Sequence, residues 1–136
     1  MLTLLEKVSL LQKAPPFQAI RTESLARVAA IAHEVSFEPR HTLYRENDNP
    51  DTMFVVLEGE VSILQNGQES KKLSSYDVAG IMALLASETY PASAVATGAV
   101  RTLRIDQQDF YDVLSEDFGV TRGILKCLVG MVAKGS

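Results

Sequence analysis

The chain has 136 residues, of which 46% are hydrophobic and 22% are charged, and its formal net charge is −4. This length is that of one domain with a buried core, and the acidic balance argues against nucleic acid as a partner, because binding phosphates needs a basic face. The lone cysteine excludes an internal disulfide, and no apolar run reaches the ~20 residues of a spanning helix, so we expect a soluble, cytoplasmic protein without membrane insertion.

Two helices are predicted at the start of the chain. Between positions 2 and 13, leucines and a valine recur at three- and four-residue spacing, which is typical of an amphipathic helix. Pro15-Pro16 should end this helix. A second helix is expected from Thr22, a residue suited to the N-cap position, to about His33. We assign residues 1–33 to these leading helices of a single domain that spans 1–136.

The middle of the chain is predicted to be β-structure. Residues 53–57 form a short apolar run that indicates a buried strand. Asn66-Gly67 predicts a type I′ hairpin turn, and Lys71 and Lys72 are expected on its solvated edge. About eight short strands, separated by Gly, Pro and Asn turns, favour a β jelly roll over a parallel sheet. We assign this jelly roll to residues 34–105.

Two closing helices are predicted over residues 106–133. Asp106 is expected at the N-cap of the first, and the second should run from about Val120 to Ala133. Cys127 lies in its apolar run, so we expect a buried thiol rather than a nucleophile. The predicted fold class is therefore mainly β, a jelly roll with leading helices and a closing helix pair.

Residues 44–61, which read YRENDNPDTMFVVLEGEV, resemble the early barrel of cyclic nucleotide-binding domains. That family has an aromatic residue, Glu-Gly-Asp, a short acidic turn and an apolar strand ending in Gly-x-Val. The matching positions are Glu46, Asp48, Asp51, Phe54, Val56, Leu57, Gly59 and Val61. Asn47 replaces the turn glycine, and Asn tolerates the left-handed backbone that this turn needs. The resemblance covers nearly the whole chain and implies a non-catalytic regulatory domain, as in catabolite-activator-like proteins and regulatory subunits of protein kinase A.

The segment GIMALLASETYPASAV resembles the phosphate-binding cassette of that family. There, a Glu binds the ribose 2′-hydroxyl and an Arg neutralises the cyclic phosphate through a charge-assisted fork. In this chain Ile81 stands in the place of the Glu and Ala92 in the place of the Arg, whereas Ser93 remains as a hydroxyl donor. The resemblance places the degenerate ligand pocket at Gly80, Ile81, Met82, Ala83, Leu84, Ala92, Ser93 and Ala94.

The cassette segment also lacks a replacement cation, because no Lys or Arg occurs between Lys72 and Arg101. Each hydrogen bond to a charged group contributes about 1.5–3 kcal/mol, so losing two weakens binding on the order of a hundred- to ten-thousand-fold. We therefore expect cAMP or cGMP to bind weakly or not at all. Arg101 and Arg104 are expected on the outward face of their strand, and Tyr90 in a surface loop.

Other chemistry finds little support in the sequence. Only His33 and His41 are present, and the turn after Glu46 has Thr52 where a calcium loop needs glycine. We expect neither a metal site nor enzymatic activity. Two alternatives remain open: a sensor of a different small ligand, and an interaction or assembly module. The second would use its terminal helices to bind a host protein, an attached domain or a second copy as a homodimer.

Overall fold

Residues 1–135, which the computed structural model describes, form two four-stranded antiparallel sheets with helices at both ends. The strands are β1 (Ala32–Phe37), β2 (Thr42–Tyr44), β3 (Thr52–Glu58), β4 (Val61–Gln65), β5 (Gln68–Leu73), β6 (Val78–Ala79), β7 (Ser93–Ala96) and β8 (Val100–Asp106). One sheet has the order β1-β8-β3-β6 and the other β2-β7-β4-β5. The predicted jelly roll with flanking helices is confirmed.

Helices precede the barrel, interrupt it once and close it. They are α1 (Leu4–Leu11), α2 (Thr22–Ala30), α3 (Ile81–Ala86), α4 (Gln107–Glu116) and α5 (Phe118–Gly135), with a 3-10 turn at Pro15–Phe17. Within the described residues, none of these helices combines the length and hydrophobicity that crossing a membrane requires.

The second leading helix ends earlier than predicted. Arg21, with extended backbone, occupies the N-cap, and Thr22 is the first helical residue. The Thr22 hydroxyl instead accepts a hydrogen bond from the side-chain amide of Gln12 at 3.2 Å. His33 lies in β1, where it pairs with Arg104 of β8. The helical spacing of the alanines continues into β1, but pairing with β8 gives this segment its backbone hydrogen bonds.

Strand β3 connects the two parts of the hydrophobic core. Met53, Val55 and Leu57 face the helices and belong to the larger cluster. Phe54 and Val56 face the barrel interior and belong to the smaller one. Because successive side chains of a strand point to opposite faces, a strand buried on both faces needs a continuous apolar run. The predicted buried strand at residues 53–57 is therefore confirmed.

Two turn predictions are also confirmed. Asn66 and Gly67 join β4 to β5 with φ values of +54° and +81°, as a type I′ turn requires. Asn47 has a φ of +73°, the left-handed conformation expected of a residue in the place of the family's glycine.

The closing helices follow the prediction with small differences. Asp106 is the N-cap of α4, although its side chain makes no capping hydrogen bond. Helix α5 begins before Val120, because a carboxylate oxygen of Asp117 accepts hydrogen bonds from the backbone N–H groups of Gly119 and Val120 at 2.9 and 3.3 Å. Cys127 is half-buried rather than buried, because its face of α5 borders an open cleft.

Candidate functional site

The turn from β6 into α3 forms the frame of the predicted cassette. Gly80 is the N-cap of α3 and has a φ of +89°. A Cβ atom built there would lie 3.2 Å from the carbonyl oxygen of Thr52 and from ring carbons of Tyr44 and Tyr90. Both the left-handed backbone and the close approach require glycine at this position.

Two stacked tyrosines lie beneath Gly80. The rings of Tyr44 and Tyr90 have centroids 3.8 Å apart and an interplanar angle of 13°. Burial raises the pKa of the Tyr44 phenol well above its ordinary value, and the neighbouring Tyr90 raises it further. The ring pair fills the space below the cassette turn and supports it from the barrel side.

Tyr90 is buried, with 2% of its surface exposed, so the prediction of a surface tyrosine is wrong. Its hydroxyl donates to the carbonyl oxygen of Thr52 at 2.5 Å and accepts from the Thr52 N–H at 3.0 Å. Its backbone also pairs with the turn before β3, since its carbonyl accepts from Asn47 at 2.8 Å and its N–H donates to Asp48 at 3.1 Å. Tyr90 therefore ties the cassette loop to that turn.

Ser93 of β7 has its hydroxyl oxygen engaged within the protein. The backbone N–H of Glu46 donates to this oxygen at 2.8 Å. The Glu46 carboxylate in turn accepts from the backbone N–H of Asn66 at 3.0 Å. The Ser93 hydroxyl proton is not used in this hydrogen bond. The Ser93 oxygen, by accepting from Glu46, orders the loop at Glu46.

A cavity of about 210 Å³, which we call the cassette cavity, adjoins this frame. Its walls come from β2, β4, β5, β6, α3 and the loop before β7: Tyr44, Ile63, Lys71, Leu73, Val78, Ala79, Gly80, Ile81, Met82, Ala83, Tyr90, Pro91 and Ala92. It gathers five of the eight predicted pocket residues. Leu84 and Ala94 are instead fully buried in the core, and Ser93 lies beside the cavity without lining it. Ile81 and Ala92 both lie in the wall.

Lys71 is a lining residue that the sequence analysis missed. As expected, it is exposed with Lys72 on the edge strand β5, but it also pairs with Ile63 of β4 and borders the cavity. Its side chain makes no ion pair within residues 1–135. The signal lay in the alternation of the strand, because Leu73 points inward and the residue two positions earlier shares its face.

The two arginines of β8 do not line the cassette cavity. Arg101 pairs with Glu58 at 2.7 Å, and the Nε of Arg104 lies 3.2 Å from the carboxylate of Asp106. Arg101 shares the helix-side face of Leu103, as expected. Arg104 instead pairs with Phe54, whose side chain faces the barrel interior, so the expectation of an outward face is wrong for Arg104. Glu88, the acidic residue that follows α3, is exposed and also lies outside the lining.

One group of metal-ligating side chains lies elsewhere, where β1 and β8 meet α4. The ligand atoms of His33, Asp106 and Asp109 lie within 4.8 Å of one another. Arg104 already faces the Asp106 carboxylate, and a guanidinium at that distance opposes a cation.

Comparison with known proteins places this geometry in a family. The sequence profile described as "Cyclic nucleotide-binding domain" matches residues 34–117. Over 125 residues the chain is 24% identical to the cGMP-dependent protein kinase egl-4 of Caenorhabditis briggsae, covering 82% of this chain and 17% of that kinase. The chain therefore spans less than a fifth of the length of this curated relative.

Solved structures share the fold. The N-terminal domain of a transcriptional regulator from Streptomyces coelicolor A3(2) superposes with a TM-score of 0.82 at 24% identity, covering 93% of this chain and 94% of that one. The regulatory subunit of a cAMP-independent protein kinase A from Trypanosoma brucei has a TM-score of 0.76 at 18% identity, covering 88% and 46%. A triple mutant of that subunit, in which a threonine is replaced by arginine, is bound to cAMP in its A site.

Proposed function

This chain belongs to the cyclic nucleotide-binding domain family, whose members are typically non-catalytic regulatory modules, and we propose that it binds cAMP and cGMP weakly or not at all. The observation that carries the proposal is the apolar character of two wall positions of the cassette cavity. Ile81 and Ala92 stand where the family has the ribose-binding Glu and the phosphate-binding Arg. The chain then acts as a regulatory sensor domain whose signal is not a tightly bound cyclic nucleotide.

The size of the cassette cavity supports this proposal. Taken without the larger cleft that adjoins it, the cavity has about 210 Å³, less than the ~300–1,000 Å³ of ordinary small-molecule pockets. The side chains of Ile81 and Met82 lie in its wall, on the first turn of α3. They take up part of the space that a sugar would need, and neither supplies a hydrogen bond to a hydroxyl group.

Lys71 offers a partial replacement for the missing cation. A lysine ammonium is a point charge on a flexible stem, whereas an arginine guanidinium binds phosphate through two parallel hydrogen bonds. A single flexible contact of this kind recovers less than the fork that it replaces, so most of the roughly 3–6 kcal/mol lost with two contacts remains lost. Lys71 therefore does not restore tight binding.

The trypanosomal regulatory subunit gives a parallel. It belongs to a kinase described as cAMP-independent, and its mutant with an introduced arginine is bound to cAMP. By analogy, a regulatory domain of this fold that lacks the arginine can keep its place in a larger protein while responding to another signal.

Isothermal titration calorimetry with cAMP and with cGMP tests the proposal on the unmodified chain. We expect no saturable binding below about 0.1 mM ligand, because a loss of a hundredfold or more weakens a site of about micromolar affinity to about 0.1 mM or beyond. Micromolar binding of either nucleotide would overturn the proposal, because the cavity would then hold the phosphate without Arg or Glu.

A second function, assembly through the last helix, is favoured by one specific observation. Helix α5 exposes large apolar side chains, and those at Phe118, Leu125, Val129 and Val132 are 50–72% accessible to solvent. Their spacing of seven, four and three residues follows a heptad stripe, so we infer pairing with a second copy of the chain.

Light scattering should show a dimer that Leu125→Glu disrupts and Lys126→Glu preserves. A wild-type protein that is monomeric at all concentrations would contradict this inference.

A further inference from the structure

A second, larger cleft opens beside the cassette cavity, between the barrel and the last helix. It has a volume of about 370 Å³, within the range of small-molecule sites. We call it the α5 cleft, and its lining is Pro15, Pro16, Lys71, Leu73, Asp77, Val78, Ile81, Met82, Leu85, Ile124, Cys127, Leu128 and Met131. Five of these residues also line the cassette cavity: Lys71, Leu73, Val78, Ile81 and Met82. The cleft and the cavity are therefore adjoining parts of one depression.

The α5 cleft presents apolar surface that the fold itself leaves uncovered. Met82 on one wall and Met131 on the opposite wall are 54% and 53% exposed. Burying such surface is favourable by about 25 cal/mol for each Å² removed from water. Methionine side chains also adapt their shape to the molecule they contact. An apolar ligand body therefore gains free energy by lying between these two walls.

One cation lies at the edge of this apolar surface. Lys71 lines both parts of the depression and makes no ion pair within residues 1–135. Asp77, the acidic side chain in the lining, accepts a hydrogen bond from the backbone N–H of Ser74 at 2.9 Å. The ammonium group is therefore free to pair with an anionic group of a ligand, while the carboxylate already has a donor within the protein.

We propose that the α5 cleft binds a small amphipathic carboxylate, with its apolar body between α3 and α5 and its anionic group on Lys71. The proposal deepens the proposed function by naming the class of ligand that replaces the cyclic nucleotide. A bound molecule contacts Ile81 and Met82 on one side and Leu128 and Met131 on the other. Its occupancy therefore couples the cassette helix directly to the last helix.

Calorimetric titration with decanoate, matched by titration with uncharged decanol, tests the assignment of the anionic group. We expect Lys71→Met to weaken decanoate binding about tenfold, the loss of one charge-assisted contact, and to leave decanol binding unchanged. Lys72→Met is the matched control, because Lys72 lies next to Lys71 on the opposite face of β5. Equal effects of the two substitutions, or no decanoate binding at all, overturn the proposal.

The position of the ligand has its own readout, because the only cysteine of the sequence, Cys127, lies in the wall of the cleft. We expect decanoate to slow alkylation of Cys127 by iodoacetamide in the wild-type protein and in Lys72→Met. An unchanged alkylation rate under saturating decanoate overturns the location. The decanoate experiments test the carboxylate site, whereas the cAMP and cGMP titrations test the proposed loss of nucleotide binding. Either proposal can therefore be contradicted without the other.

Discussion

Tyr90 holds Thr52 by both of its backbone polar groups, with its hydroxyl 2.5 Å from the carbonyl oxygen and 3.0 Å from the N–H. Thr52 begins β3, the central strand of the core, and Tyr90 ends the cassette loop. This pair of hydrogen bonds therefore fixes the cassette to the barrel.

We expect Tyr90→Phe to lower the free energy of unfolding by about 1–3 kcal/mol, because it leaves backbone groups of Thr52 without their partner. Urea denaturation measures the change. Tyr76→Phe is the matched control, since the Tyr76 hydroxyl makes only a 3.5 Å contact with the Lys13 ammonium. Equal effects of the two substitutions would show that the contacts of Tyr90 with Thr52 contribute nothing specific.

The stacked partner, Tyr44, gives a prediction about alkaline pH. Burial raises the pKa of its phenol in the folded state, so above an unfolded pKa of about 10 the unfolded chain loses this proton first. The contribution of the protonated Tyr44 phenol to the free energy of unfolding is therefore fully present below about pH 10. It falls as the pH rises, by up to about 1.4 kcal/mol per pH unit. Tyr44→Phe should reduce this slope in urea titrations at about pH 9 and about pH 11. A slope equal to that of the wild type would contradict the prediction.

Gly80 allows the cost of steric contact to be separated from the cost of backbone strain. Gly80 and Gly67 have similar φ values, +89° and +81°, but a Cβ has neighbours at 3.2 Å only at Gly80 and open space at Gly67. Gly67→Ala should therefore cost about 1 kcal/mol for the left-handed backbone alone. Gly80→Ala should cost more, about 2–4 kcal/mol, because overpacking adds about 1–3 kcal/mol. Thermal unfolding of both variants checks the order, and equal losses would exclude a steric role for Gly80.

The elements that the sequence predicted well are those decided by local chemistry. Asn66 and Gly67 readily adopt the left-handed backbone of a type I′ turn. The residues at 53–57 are all apolar, so a strand formed by them has to be buried on both faces. The C-terminal end of the second helix was harder to predict. His33 is in a strand because β8 supplies its pairing partner, Arg104, from a distant part of the sequence.

The site was less accessible to sequence reasoning, because its walls come together through pairing between distant strands. The alternation from Leu73 places Lys71 on the inward face, but only the pairing of Lys71 with Ile63 brings that face to the cavity. The next pair is Leu64 with Glu69, so Ser70 is an extra residue, a β-bulge that reverses the alternation beyond it. Tyr90 was expected at the surface because its loop is polar. No feature of the neighbouring sequence predicts that its ring stacks on Tyr44. A search confined to the cassette segment could not find either contact.

The proposed loss of cyclic-nucleotide binding predicts that two substitutions restore it. Ile81→Glu returns a ribose acceptor to the first turn of α3, and Ala92→Arg returns the phosphate-binding fork immediately before β7. We expect the double variant to bind cAMP or cGMP on the order of a hundred- to ten-thousand-fold more tightly than the wild type, measured by calorimetry. Ile81→Gln with Ala92→Met is the matched control, because it adds similar volume without charge. Ala92 is only 8% exposed, so circular dichroism must show that both variants fold. A folded double variant without improved binding would contradict the assignment of Ile81 and Ala92 as the cause of weak nucleotide binding.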